Sequence, residues 1–174
     1  FGSVEQMAEG VVGRGILVDL PRARGVEWLE PGTAIEREEL LSTMTAQEIT
    51  SARGDIVLVR TGHRRRRTAL GPWDAGALSA GLHPSSMALL HECAAAVLGS
   101  DGDSDARPSP VAGVDSPIHA LALAGMGMPL IDNMNLEELA DACVAANRWE
   151  FLVVLAPLRI PGGTGSPVNP IAIL

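Results

Sequence analysis

The chain contains no lysine and no tyrosine, and all 13 of its basic residues are arginine. Without lysine there is no Schiff-base chemistry and no lysine general base. A phosphate loop of the Gly-Lys-Ser/Thr kind is excluded for the same reason. Without tyrosine there is no phenol for acid–base work. Aromatic residues make up only 3% of the chain, too few to interleave with the arginines as a nucleic-acid stacking surface. Two cysteines, Cys93 and Cys143, form no CxxC pair and no disulfide framework. That usage fits a reducing compartment, and a cytoplasmic location is expected. Long apolar runs are missing too. The longest, residues 120–131 and 151–158, fall far short of the roughly 20 residues that span a bilayer, so no membrane partner is expected. The formal net charge of −8 argues against nucleic acid as the main partner, since phosphate binding needs a positive surface.

What is present is an ordinary globular composition, 47% hydrophobic over 174 residues. That length suits one domain, residues 1–174, with a sizeable core. Alanine occurs 24 times, a bias that a GC-rich coding sequence explains. The first residue is Phe1, with no charged and apolar leader around it, and the chain is expected to be a fragment of a longer protein.

Helix and strand signals alternate along the chain. Residues 3–10 read as a helix with a Ser3/Gln6 capping box. Residues 15–20 read as a buried strand that Pro21 ends. Residues 35–52 carry two short helical segments, with acidic Glu36, Glu38 and Glu39 early in the first and a Thr45/Glu48 capping box in the second. Residues 55–60 form a second strand, and 62–81 a loop holding the run Arg64–Arg67. Residues 84–93 are helical with Pro84 at the first position. Strands are expected at 95–100, 129–132, 149–158 and 171–174. A helix is expected at 136–146, and 119–128 reads as helical or irregular. Polar, proline-rich loops occupy 102–117 and 162–170. This alternation argues for an α/β protein.

Most standard motifs fail. Asp101-Gly102-Asp103-Ser104-Asp105 begins like a calcium loop, but the required glycine falls on Ala106 and the required glutamate on Ala112. GxGxxG, GxSxG and HExxH do not occur. The four consecutive arginines could hold an anion or simply form a solvated loop. Of the four histidines, His63 precedes that run and is expected to be exposed. His83 lies before a helix, either at the mouth of a site or as a helix cap. His91 is placed to meet a helix C-terminus. His119 enters an almost wholly apolar segment, as a satisfied core histidine or as a ligand. Asp19, Asp101 and Asp132 each follow an apolar strand, and sites assemble at the carboxyl ends of strands in α/β folds. A helix and return strand could bring Asp132 back to His119. A histidine and a carboxylate make half of a site for zinc or manganese. Two structural expectations follow: His119 points inward beside polar groups, and Arg60, ending a buried strand, is partly buried and paired with a carboxylate.

Several segments, taken in order, resemble the cyclase family of metal-dependent hydrolases, the superfamily of bacterial kynurenine formamidase and isatin hydrolase. They are residues 13–19, residues 54–62, Gly81-Leu82-His83-Pro84, residues 97–101, Pro117-Ile118-His119, and residues 149–151 through 161–170. The resemblance implies an α/β, swivelling β/β/α cyclase-type fold, here lacking its N-terminal portion. The family's HxGTHxD motif, which supplies most metal ligands, is absent, and no histidine precedes His63. By position His119 looks like the family's later metal-site histidine, and Asp132 falls near its later acidic ligand. His83 matches a histidine of the longer subfamily and is the catalytic candidate, while Thr164 and Ser166 fall in a loop that lines the substrate site in relatives. The resemblance further implies a homo-oligomer, a dimer or higher. It also implies a divalent cofactor, zinc or manganese, whose remaining ligands come from the missing segment.

Two main readings follow. One is a metal-dependent hydrolase of a small amide or lactone, arylformamidase-like and connected with tryptophan catabolism, acting on a small-molecule carbonyl substrate. The other is a truncated, non-catalytic scaffold fragment. The family name alone suggests a third, an aromatic polyketide cyclase.

Overall fold

The computed structural model describes residues 2–174. A six-stranded sheet runs in the order β6-β5-β3-β1-β7-β8, with a separate pair, β2 and β4. Strands β1 (Val11–Asp19), β3 (Ile56–Arg60), β5 (Val97–Ser100) and β6 (Leu130–Ile131) are mutually parallel. Strands β7 (Glu150–Leu155) and β8 (Ile171–Ile173) extend the sheet antiparallel on the other side. The small pair, β2 (Ala34–Ile35) and β4 (Gly81–Leu82), is parallel. The helices are α1 (Leu20–Arg24), α2 (Arg37–Ala46), α3 (His63–Leu70), α4 (Pro84–Glu92), α5 (Pro117–His119) and α6 (Glu137–Ala146).

The parallel strands are nearly continuous aliphatic runs because both their faces are covered. Ile16, Leu17, Val18, Ile56, Leu58 and Leu98 are all buried in one core. Gly15 is required where β1 crosses β7: a Cβ there would collide with Phe151 and Val153. All four parallel strands end on the same edge of the sheet. Asp19, Arg60, Asp101 and Asp132 are therefore delivered to one rim.

Several local expectations need correction. The N-terminal helix is only a 3₁₀ turn, Val4–Met7, and Ser3 caps through Glu5 rather than Gln6. The first strand begins four residues earlier, at Val11, and ends at Asp19, two residues before Pro21, which sits in the first turn of α1. Residues 35–52 hold one helix, not two. Thr45 bonds back to Leu41, and Glu48 turns left-handed at φ 57°, which ends α2 instead of starting a second helix. The expected loop at 62–81 contains α3, formed by the arginine run itself. Arginine is a good helix former, and Gly62, at φ 78°, makes the entry turn. The outer face of β7 is open at Leu152, so that strand is not buried throughout. Residues 120–126 form a π-helix directly after His119, closed by Gly127 at φ 64°.

Candidate metal centre

The three aspartates at the strand ends take three different roles. Asp19 meets Arg60, whose Nη1 lies 2.8 Å from Asp19 Oδ1. The same guanidinium donates through Nη2 to Glu137 at 2.8 Å, so Arg60 is fully buried between two carboxylates. Burial alone would weaken its charge, but Glu137 and Asp19 hold it firmly protonated. Asp101 is a buried helix cap. It accepts from Thr61 N and Oγ1, Gly62 N and His63 N, at 2.7 to 3.1 Å. Burial holds its carboxyl above the ordinary range, against the opposing pull of the Thr61 and Gly62 donors.

Asp132 is the third, and it meets His119. The His119 Nε2 lies 3.1 Å from Asp132 Oδ2. On the opposite side of the ring, His119 Nδ1 lies 2.6 Å from Asp105 Oδ2. His119 is thus half-buried between two carboxylates, inward and partnered. In the metal-free protein these neighbours push its pKa up to about 10, Asp105 contributing most and Asp132 next. Burial pushes the Asp132 carboxyl up, yet the imidazolium and Ser104 outweigh it and hold it below the ordinary carboxylate range. Ser104 donates both its backbone N and its Oγ to Asp132 Oδ1, at 3.0 and 2.6 Å.

Asp105 carries no sequence signal as a partner of His119. Its segment looks like a calcium loop and fails as one, yet its alternating aspartates do reach a site. Asp103, Asp105 and His119 bring one possible ligand atom each within 4.8 Å of one another. The aspartates at every second residue beyond a strand end mark the loop, but not which of them meets His119.

The other sequence candidates fall around this centre. His83 caps α4: its Nδ1 accepts from Ser85 N at 3.1 Å, and its Nε2 has no hydrogen-bond partner among the described residues. Leu82, one residue before it, bonds to Ser104 O, so His83 follows directly on the strand beside the aspartate loop. No polar contact joins His83 to His119 among the described residues. Asp132 and Ser166 line one cavity of about 690 Å³, and Thr164 and Ser166 line a second of about 360 Å³. His63, expected to be exposed, is half-buried as the first residue of α3. A Cβ on Gly102 would come within 2.8 Å of its Nδ1, so a side chain there would displace the His63 ring. Burial, then Arg67 and Arg66, lowers the His63 pKa.

The family model Cyclase matches residues 2–104. The chain belongs to the cyclase family. A crystal structure described as a novel cyclase shares 31% identity and a TM-score of 0.86, covering 99% of this chain and 56% of its own. Isatin hydrolase A from Labrenzia aggregata, bound to benzyl benzoate, is 24% identical with a TM-score of 0.73, covering 99% and 65%. A structure described as a potential metal-dependent hydrolase with cyclase activity is 17% identical with a TM-score of 0.63, covering 92% and 64%. The last two share the fold with this chain. The cyclase-family chain therefore spans less than two thirds of the length of these relatives. No curated protein matches it. The family match ends at Ser104, so Asp105, His119 and Asp132 lie beyond the matched segment.

Proposed function

We propose that this cyclase-family chain carries part of a divalent-metal site of a hydrolase acting on the carbonyl of a small amide or lactone. The observation behind this reading is the pair of His119 Nε2 and Asp132 Oδ2, 3.1 Å apart at the rim of the parallel strands. Ligand atoms around a tetrahedral zinc, at roughly 2.0–2.1 Å from the ion, stand about 3.3 Å from each other. The pair therefore fits a shared cation with little movement, and imidazole plus carboxylate suits zinc or manganese. A bound ion of this kind polarises a carbonyl and supplies hydroxide near neutral pH.

The chain's own residues would then divide the work. His119 gives up its Nε2 proton when a cation enters, and Ser104 keeps Asp132 turned toward it. His83 is the residue proposed to carry a proton to the leaving group, through its uncommitted Nε2. Thr164 and Ser166 are proposed to contact the substrate from the two cavities. The resemblance to isatin hydrolases supports a cyclic or aryl amide, and arylformamidase-like chemistry in tryptophan catabolism is the finer form of the proposal. A cytoplasmic homo-oligomer with a small-molecule substrate completes it.

Two ligands are one short of the three that a catalytic zinc takes from protein. This chain alone is therefore expected to bind metal weakly and to show no turnover. The test is metal analysis of the full-length gene product with zinc and manganese, and its turnover of N-formyl anilides and lactones. The same measurements are made on the 174 residues. One divalent ion per subunit and turnover, both lost in His119→Ala with the fold intact, are expected. Metal content and turnover unchanged in His119→Ala would overturn the reading.

A further inference from the structure

Asp103, Asp105 and His119 stand close enough to be taken together as cation ligands. Their hydrogen bonds say otherwise. Asp105 is completely buried and both its oxygens are committed. Its Oδ1 accepts from Ile118 N at 2.6 Å, and its Oδ2 accepts from His119 N at 3.3 Å and from the His119 ring at 2.6 Å. Asp103 is equally committed: Oδ1 accepts from Asp105 N at 3.0 Å and Oδ2 from Arg107 Nε at 2.9 Å. Arg107 goes on to Asp115 O and Ser116 Oγ, the two residues just before α5. The aspartate loop is thus tied to the start of the helix that carries His119. Asp105 also supplies the acceptor that Ser116, the first residue outside that helix, does not.

An ionised carboxylate is an acceptor only, so the proton on this contact belongs to His119 Nδ1. We infer that Asp105 is not a metal ligand but the positioning residue of the site, fixing the His119 ring so that only Nε2 faces Asp132 and any incoming cation. It rests on the metal reading proposed above, and deepens it by assigning the ring nitrogen. Holding the far nitrogen of a ligating histidine by a carboxylate fixes both tautomer and ring direction.

The experiment is ¹⁵N NMR of the histidine rings in the 174-residue chain, without metal and with zinc. It compares wild type, Asp105→Asn and Asp105→Ala, and amide spectra report whether each variant folds. Without metal, the His119 Nδ1 proton should exchange slowly in wild type and rapidly in Asp105→Ala. With zinc, Nε2 should shift as a coordinated nitrogen while Nδ1 keeps its proton. Zinc affinity should fall roughly 10–100-fold in Asp105→Ala, with Asp105→Asn, which retains an acceptor oxygen, in between. If Asp105→Ala does not fold, Asp105→Asn decides through faster Nδ1 exchange and a measurable loss of zinc affinity. The reversed ring pattern, Nδ1 coordinated and Nε2 protonated, overturns the inference. So does an Nδ1 proton equally protected in wild type and in the folded variants. If the 174-residue wild type takes up too little zinc to read, the metal-free spectra alone decide the positioning role, and the metal reading is decided separately on the full-length gene product.

Discussion

Two ends of the parallel sheet carry the same arrangement, a cation between two carboxylates, and use it differently. At the β1/β3 end, Arg60 lies between Asp19 and Glu137 with all three groups largely out of water. At the β5/β6 end, His119 lies between Asp105 and Asp132, and its side chain keeps 32% of its surface exposed. A guanidinium cannot give up its proton in a protein, and its fork matches carboxylates on two sides. An imidazolium can give up its proton, and the nitrogen so exposed is a metal ligand. One end is therefore a permanent tie between β1, β3 and α6. The other, on the metal reading proposed above, is a tie that a cation would replace. Burial plus a charged cluster is common to both ends; the exchangeable proton and the open side are what set the His119 end apart.

Breaking the permanent tie should have the largest effect. Arg60→Ala leaves Asp19 and Glu137 without their shared partner, Asp19 buried, and is expected to cost about 3–5 kcal/mol, read by urea denaturation. A loss below about 1 kcal/mol would show that the two ends are alike. At high pH, where the ring is neutral, His119→Ala should cost less, about 1 kcal/mol, because Asp105 keeps its two backbone donors; the cost should grow as pH falls. The same urea midpoints check it.

The comparison sharpens with pH. The His119 pKa is raised in the folded, metal-free protein, from 6.5 to about 10, chiefly by Asp105 and then by Asp132. Folding then favours the protonated ring, so this contribution is complete below pH 6.5 and is lost as pH rises through about 10. Wild type should lose stability relative to His119→Ala between those values, in metal-free buffer. A stability difference independent of pH over that range would refute the exchangeable tie. The smallest effect is expected at Arg65, which also reaches Glu137, at 2.8 Å, but from a more exposed position. Arg65→Ala should cost about 0.2–1 kcal/mol, because Arg60 still holds that carboxylate.

The sequence shows the frame of this fold better than its junctions. Runs such as Ile56–Arg60 and Val97–Ser100 are legible because strands buried on both faces must be aliphatic throughout. The rim carboxylates Asp19, Asp101 and Asp132 are legible as strand ends, and Arg60 as a charge that needs a partner. The α3 helix is not, because four adjacent arginines carry no apolar period, and the helix is packed through His63, Arg66 and Trp73 rather than by an aliphatic stripe. Asp105 is hidden for a different reason. Its role depends on a turn that returns it to α5, 14 residues further on, and nothing local fixes that distance.

On the metal reading proposed above, the β5/β6 end, and not the β1/β3 end, receives the cation. Titrating the ¹⁵N-labelled chain with zinc and following its backbone amides tests this directly. Shifts should gather at residues 102–106, 118–120 and 131–134 and be abolished in Asp132→Ala, with Asp19 and Arg60 unmoved. Shifts centred on Asp19, Arg60 and Glu137, or unaltered by Asp132→Ala, would contradict it.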